Sequence, residues 1–93
     1  MMKTLKLLAT LRDVAGSSQI DVPFEDGQSV RELLQAINNF NPELGQKIVT
    51  DDGQLTGLVH VLVHGRNITW LQGLDTPINQ DDIITLLPPS AGG

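Results

Sequence analysis

Apolar and polar residues alternate from Lys3 to Leu11, with Leu5, Leu7, Ala9 and Leu11 on one side and Thr4, Lys6, Leu8 and Thr10 on the other. A period of two predicts a half-buried strand. Turn residues Ala15-Gly16-Ser17-Ser18 follow, and Gln19 to Phe24 alternates again with Ile20, Val22 and Phe24 inward. The two segments predict an N-terminal hairpin. Pro23 suits an edge strand, because it has no N–H to give a neighbour. After Asp26-Gly27 the period lengthens: Val30, Leu33, Leu34, Ile37 and Phe40 make one apolar stripe on a helix. Ser29 and Glu32 have capping-box spacing at its start, and Asn41-Pro42 ends it. Asn41 caps a short further turn carrying Leu44 and Ile48. Alternation returns over Leu58 to His64, with Val59, Val61 and Val63 inward and Leu58, His60, Leu62 and His64 outward. Gly65-Arg66-Asn67 turns the chain, and Ile68 to Leu71 is a short strand. In the last strand Ile84 and Leu86 share one face and Ile83, Thr85 and Leu87 the other, before Pro88-Pro89 stops it.

The order strand, strand, helix, strand, short strand, strand predicts an α+β fold, a mixed sheet of four to five strands with one main helix packed on one face. That helix covers a single face, so the other is solvated or bound to a partner. At 93 residues the chain has room for one domain, 1–89, followed by a flexible tail, 90–93.

Eleven acidic against six basic residues give a net charge of −5, which argues against nucleic acid or an anionic membrane as partner. The absence of cysteine excludes disulfides, Cys-ligated metal and a thiol nucleophile. Lys6 and Arg12 leave only five residues between them, too short for a secretory core, so a cytoplasmic protein is expected. Phosphate-binding, dinucleotide, metalloprotease and nucleophile-elbow motifs are missing. His60 and His64 are four strand positions apart, about 13 Å, too far to share a metal. Asp51-Asp52 and Asp81-Asp82 read as turn residues ahead of strands. Trp70, the sole tryptophan, is expected to cap an edge of the core.

The end of the chain carries the chemistry. With glycine usage of about 7%, two terminal glycines are roughly a one-in-two-hundred coincidence. Gly92 and Gly93 lack side chains and can thread a narrow channel, delivering the terminal carboxylate to a reaction centre. Pro88 and Pro89 hold the root of the tail extended.

With these residues the chain resembles the ubiquitin-like β-grasp family, most closely the sulfur-carrier subunit of molybdopterin synthase and the small archaeal modifier proteins. The segments that carry the resemblance are Leu8 to Gly16, the Ser29 to Phe40 helix, Asp51 to Leu55, Val61 to Gly65 and, above all, Leu86 to Gly93. His64 stands where many relatives carry Asn. The resemblance implies that an activating enzyme of the ubiquitin E1 type uses MgATP to adenylate Gly93, while the chain itself binds no cofactor and no metal. It implies a carrier, not a catalyst. Sulfur then gives a thiocarboxylate, which the large subunit of molybdopterin synthase consumes; a target-protein lysine instead gives an isopeptide. Ser90, Ala91, Gly92 and Gly93 form the tail, and Leu8, Leu62, Leu87, Pro88 and Pro89 are expected to form the partner-binding surface beside it.

Overall fold

In the computed structural model, which describes residues 1–88, the first alternating run forms β1 (Met2–Leu7) and pairs antiparallel with β2 (Gln19–Pro23). β1 is shorter than its pattern. Ala9 takes φ 54°, breaking the extended chain, and Thr10–Ala15 coils into a short helix, α1, closed by left-handed Gly16. Leu11 is buried in either reading, because its position satisfies both a period of two from Leu7 and the inner face of the helix. Ala9, expected inward, is exposed.

Helix α2 (Val30–Phe40) begins with the capping box: Glu32 N donates to Ser29 Oγ at 3.3 Å, and Ser29 N donates to Glu32 Oε1 at 3.1 Å. Val30, Leu33, Leu34 and Ile37 are buried, but Phe40 at the end of the stripe is 56% exposed, where the helix overhangs the core. Helix α3 (Pro42–Ile48) follows at once, with Asn41 Oδ1 accepting from Leu44 N at 3.1 Å. At Gly45, α3 lies tight against α2. A Cβ there would lie 2.6 Å from Asn38 Cα.

Strand β3 (His60–Val63) and the two-residue β4 (Arg66–Asn67) are joined by His64 and Gly65, at φ 52° and 78°. Two consecutive positive φ values make the mirror-image hairpin turn that matches strand twist. The segment read as a short strand, Ile68 to Leu71, instead makes a 3-10 turn over Ile68–Trp70, begun by Asn67 Oδ1 accepting from Thr69 N. Trp70 is 84% exposed and caps no core edge. Strand β5 (Ile84–Leu87) lies between β1, to which it is parallel, and β3, to which it is antiparallel. The sheet order is β2-β1-β5-β3-β4.

All three helices lie on one face, over Leu5, Leu7, Val22, Val61, Ile84 and Leu86. Ile78, in an irregular segment, is fully buried as well. At the β2 edge the pairs Leu7 N to Ser18 O and Phe24 N to Met1 O set the phase, so Gln19, Asp21 and Pro23 direct their backbone groups outward. The Ser17 hydroxyl bonds both the N–H and the C=O of Gln19, and Pro23 has no N–H. Asp21 alone then offers both backbone groups outward, too few for a continuous ladder to a further strand.

Candidate functional site

The candidate site is the sheet face away from the helices, at the end where β5 leads toward the C-terminus. Register fixes which side chains are neighbours. Leu8 N donates to Leu86 O at 3.0 Å, extending the parallel ladder, so Leu8 flanks Leu87 on one side while His60 lies opposite Leu87 on the other. The next row is Lys6, Thr85 and Leu62. Ile83 follows, with His64 N donating to its carbonyl at 2.9 Å. Leu8 is 45% exposed, while Leu62, Leu87 and Pro88 are half-buried. The three leucines therefore share one face but not one row: Leu62 is diagonal to Leu87, within reach of a long side chain. Ile83, 51% exposed, adds apolar area that belongs to the same face. The surface is mixed, with a leucine cluster toward the tail and Lys6, Thr85 and His60 interleaved. Pro89, Ser90, Ala91, Gly92 and Gly93 lie outside the described residues.

The two histidines have separate partners. Asn67 Oδ1 already accepts from Thr69 N, so its Nδ2 faces His60 Nδ1 as a donor at 3.1 Å, leaving the ring proton on Nε2 in the neutral form. His64 Nε2 lies 2.7 Å from Asp82 Oδ1, and Asp82 Oδ2 accepts from Asn79 N at 2.8 Å. Asp82 thus ties the hairpin turn to the loop that precedes β5. Among the described residues no group of three or more His, Asp or Glu side chains is gathered to hold a metal ion.

The same loop is fixed from inside by Lys3, which sequence reasoning did not single out. Its side chain is in phase with Leu5 and Leu7 and is only 3% exposed. Nζ donates to Asn79 O at 3.0 Å and Gln80 O at 2.9 Å, and sits 5.1 Å from the centre of the Phe24 ring. Burial lowers its pKa below the ordinary 10.5; Asp82, Asp81 and Asp26 partly oppose that shift. The available signal was the phase of Lys3 within the alternating run. Lys3 and Asp82 together hold the loop that leads into β5, the strand that carries Leu87 between Leu8 and His60.

Residues 5–93 match the model of the ThiS family. Small archaeal modifier protein 3 of Haloferax volcanii is 30% identical over 96% of this chain and 96% of its own length. The crystal structure of SAMP1 from Haloferax volcanii superimposes with a TM-score of 0.82 at 30% identity, covering 100% of both chains. The solution structure of small archaeal modifier protein 1 from Methanosarcina acetivorans gives 0.80 at 32% identity, covering 99% of this chain and 96% of that one. No helix among the described residues is long and apolar enough to cross a membrane. The sheet order, the single helical layer and the match over residues 5–93 agree, and the chain belongs to the ThiS family, a ubiquitin-like β-grasp protein of the sulfur-carrier and small-modifier kind.

Proposed function

We propose that the chain is a cytoplasmic carrier whose own C-terminal carboxylate, at Gly93, is the reacting group, and that it donates sulfur for molybdopterin synthesis. One observation carries the reading: the central strand β5 ends at Leu87 on an open, partly apolar face, and the sequence then runs Pro88-Pro89-Ser90-Ala91-Gly92-Gly93. A carboxylate is a poor electrophile. An E1-like activating enzyme using MgATP makes it an acyl-adenylate, whose leaving group is AMP. The outer sulfur of a persulfide displaces AMP to give an acyl disulfide; a thiol of the sulfur-delivering enzyme then attacks the S–S bond, leaving as a disulfide and releasing the thiocarboxylate. Transfer of that sulfur in the large subunit of molybdopterin synthase, with water supplying the oxygen, restores the carboxylate. The chain contributes the side-chain-free terminus and a docking surface of Leu8, Leu62, Leu87, Pro88 and Pro89. The net charge of −5 suits basic protein surfaces and disfavours nucleic acid and membrane.

Conjugation to target-protein lysines through the same adenylate is the second reading. The 30% identity to a small archaeal modifier protein across nearly the whole chain favours it. Both products share every step up to the nucleophile.

The test is intact-mass analysis with activating enzyme, ATP and a sulfur source. One terminal oxygen is replaced by sulfur, and the large synthase subunit then restores the original mass. Deleting Gly93 or adding one residue after it abolishes adenylation with an unchanged urea midpoint; unchanged adenylation of the truncated chain refutes the proposal. Abundant isopeptide adducts in the host, with cofactor synthesis intact after gene deletion, place conjugation first.

A further inference from the structure

We infer that His60 is the residue by which the open face selects its partner: it holds a hydrogen-bond donor beside Leu87 for a carboxylate of the activating enzyme. The inference rests on the reading above, in which that face docks the activating enzyme. His60 is exposed and lies opposite Leu87 in register, in the row nearest the tail. The other members of that row, Leu87 and Leu8, are apolar, so a polar ring interrupts a leucine surface. Two hydrogen bonds fix what the ring offers. Thr69 N donates to Asn67 Oδ1 at 2.9 Å, which orients the amide, and Asn67 Nδ2 then donates to His60 Nδ1 at 3.1 Å. With Nδ1 held as an acceptor, the neutral ring carries its proton on Nε2. The protonated ring carries one there too. Nε2 is therefore a donor in either state of charge, and none of the described residues accepts from it.

Register also decides the charge around that donor. The row of Leu8, Leu87 and His60 and the row behind it, through Lys6, Thr85 and Leu62, hold one lysine and no carboxylate. The carboxylates of this face stand further from the tail and already have partners: Asp21 accepts from Thr4 Oγ1, and Asp82 faces His64. The chain as a whole carries −5, so the end of the face beside the tail differs in sign from the molecule around it.

A basic residue of the partner set against this end meets Lys6 and a ring that offers only a donor. A carboxylate there accepts from His60 Nε2 and lies one row from Lys6. An apolar side chain in the same place buries Nε2–H without an acceptor, and the surrounding leucines exclude the water that would otherwise supply one. One polar bond in an apolar surround thus separates partners that area alone would not.

In the experiment, nitrogen shifts of the ¹⁵N-labelled full-length chain identify the His60 tautomer, and calorimetry without ATP gives Kd for the activating enzyme of the host. The expected neutral ring carries its proton on Nε2. His60→Leu is expected to bind about 10–100-fold more weakly with an unchanged urea midpoint, although it enlarges the apolar cluster. His60→Glu loses more, because two carboxylates then face each other. A neutral ring protonated on Nδ1 overturns the inference. So does His60→Leu binding as tightly as wild type or tighter, which shows an apolar partner surface, and so does His60→Glu binding more tightly than His60→Leu, which shows a basic one. In each of these outcomes wild type still binds the enzyme and the carrier reading stands. An activating enzyme that neither binds nor adenylates wild type removes that reading together with the inference.

Discussion

Replacing Lys3 by Met keeps the aliphatic stem against Phe24 and removes the ammonium together with its two hydrogen bonds, so it measures what that head group contributes. Two bonds from a charged donor contribute about 1.5–3 kcal/mol each. Desolvation of the ammonium offsets several kcal/mol of that sum. Water also replaces part of the loss, because Asn79 and Gln80 are exposed residues. The expected net cost of Lys3→Met is about 2 kcal/mol, a fall in Tm of about 8–16 °C for a domain of this size. Lys3→Ala loses three further buried methylenes, at about 0.8 kcal/mol each, and is the more damaging change. Thermal unfolding followed by circular dichroism at pH 7 measures both. The pH dependence has a definite sign. The Lys3 pKa is lowered in the folded state, chiefly by desolvation, so between that value and 10.5 the unfolded chain binds more protons than the folded one. Wild type therefore gains stability relative to Lys3→Met as pH rises through that window, with no change in the difference below it. An unchanged or higher Tm for Lys3→Met at pH 7 would refute the reasoning, because desolvation would then outweigh both hydrogen bonds.

Gly45→Ala forces a Cβ against the backbone of Asn38 and should cost about 2–3 kcal/mol in urea unfolding; a cost near zero would show that α2 and α3 separate freely. His64→Asn keeps a residue suited to the left-handed turn and loses the Asp82 pair, costing about 0.5–1 kcal/mol. His64→Val places a β-branched residue at φ 52° and should cost about 2 kcal/mol, so equal midpoints for the two variants would contradict the turn assignment. Leu87→Arg and Leu62→Asp should weaken binding to the activating enzyme strongly while costing about 1 kcal/mol of stability, and unimpaired binding by either would exclude that side chain from the docking surface.

The alternating runs and the α2 stripe were legible because each has one face in the core and one in water, so burial writes its period into the residues. Lys3 broke the expected chemistry of its phase but not the phase itself. Its ammonium reaches carbonyls from residues 79 and 80, far away in sequence, which no local pattern announces. Helix α1 was hidden because six residues hold too little of a 3.6-residue period to separate it from the strand before it. Phe40 fitted the helical period yet lies past the end of the core, since periodicity gives direction around an axis and not where the facing layer stops. Trp70 ends a 3-10 turn and Ile78 sits in irregular backbone, neither offering a period to read, and hydrophobicity alone decides nothing there: the larger side chain is outside and the smaller inside. Of the site, the leucines' common face followed from period two, while their rows depended on β1 and β5 being parallel, a long-range pairing.

The interrupted edge at β2 bears on how long partners remain together. Under the proposed function the chain leaves one enzyme to reach the next, and a binding mode that strengthens with every residue of added strand would hinder that. With Gln19 answered by Ser17 and no donor at Pro23, an approaching segment finds no continuous ladder on that side. On that proposal encounters rest on side chains across the open face, whose area sets the residence time. Departure is limited by a few leucine contacts instead of a row of backbone bonds, and the chain can turn over between successive partners.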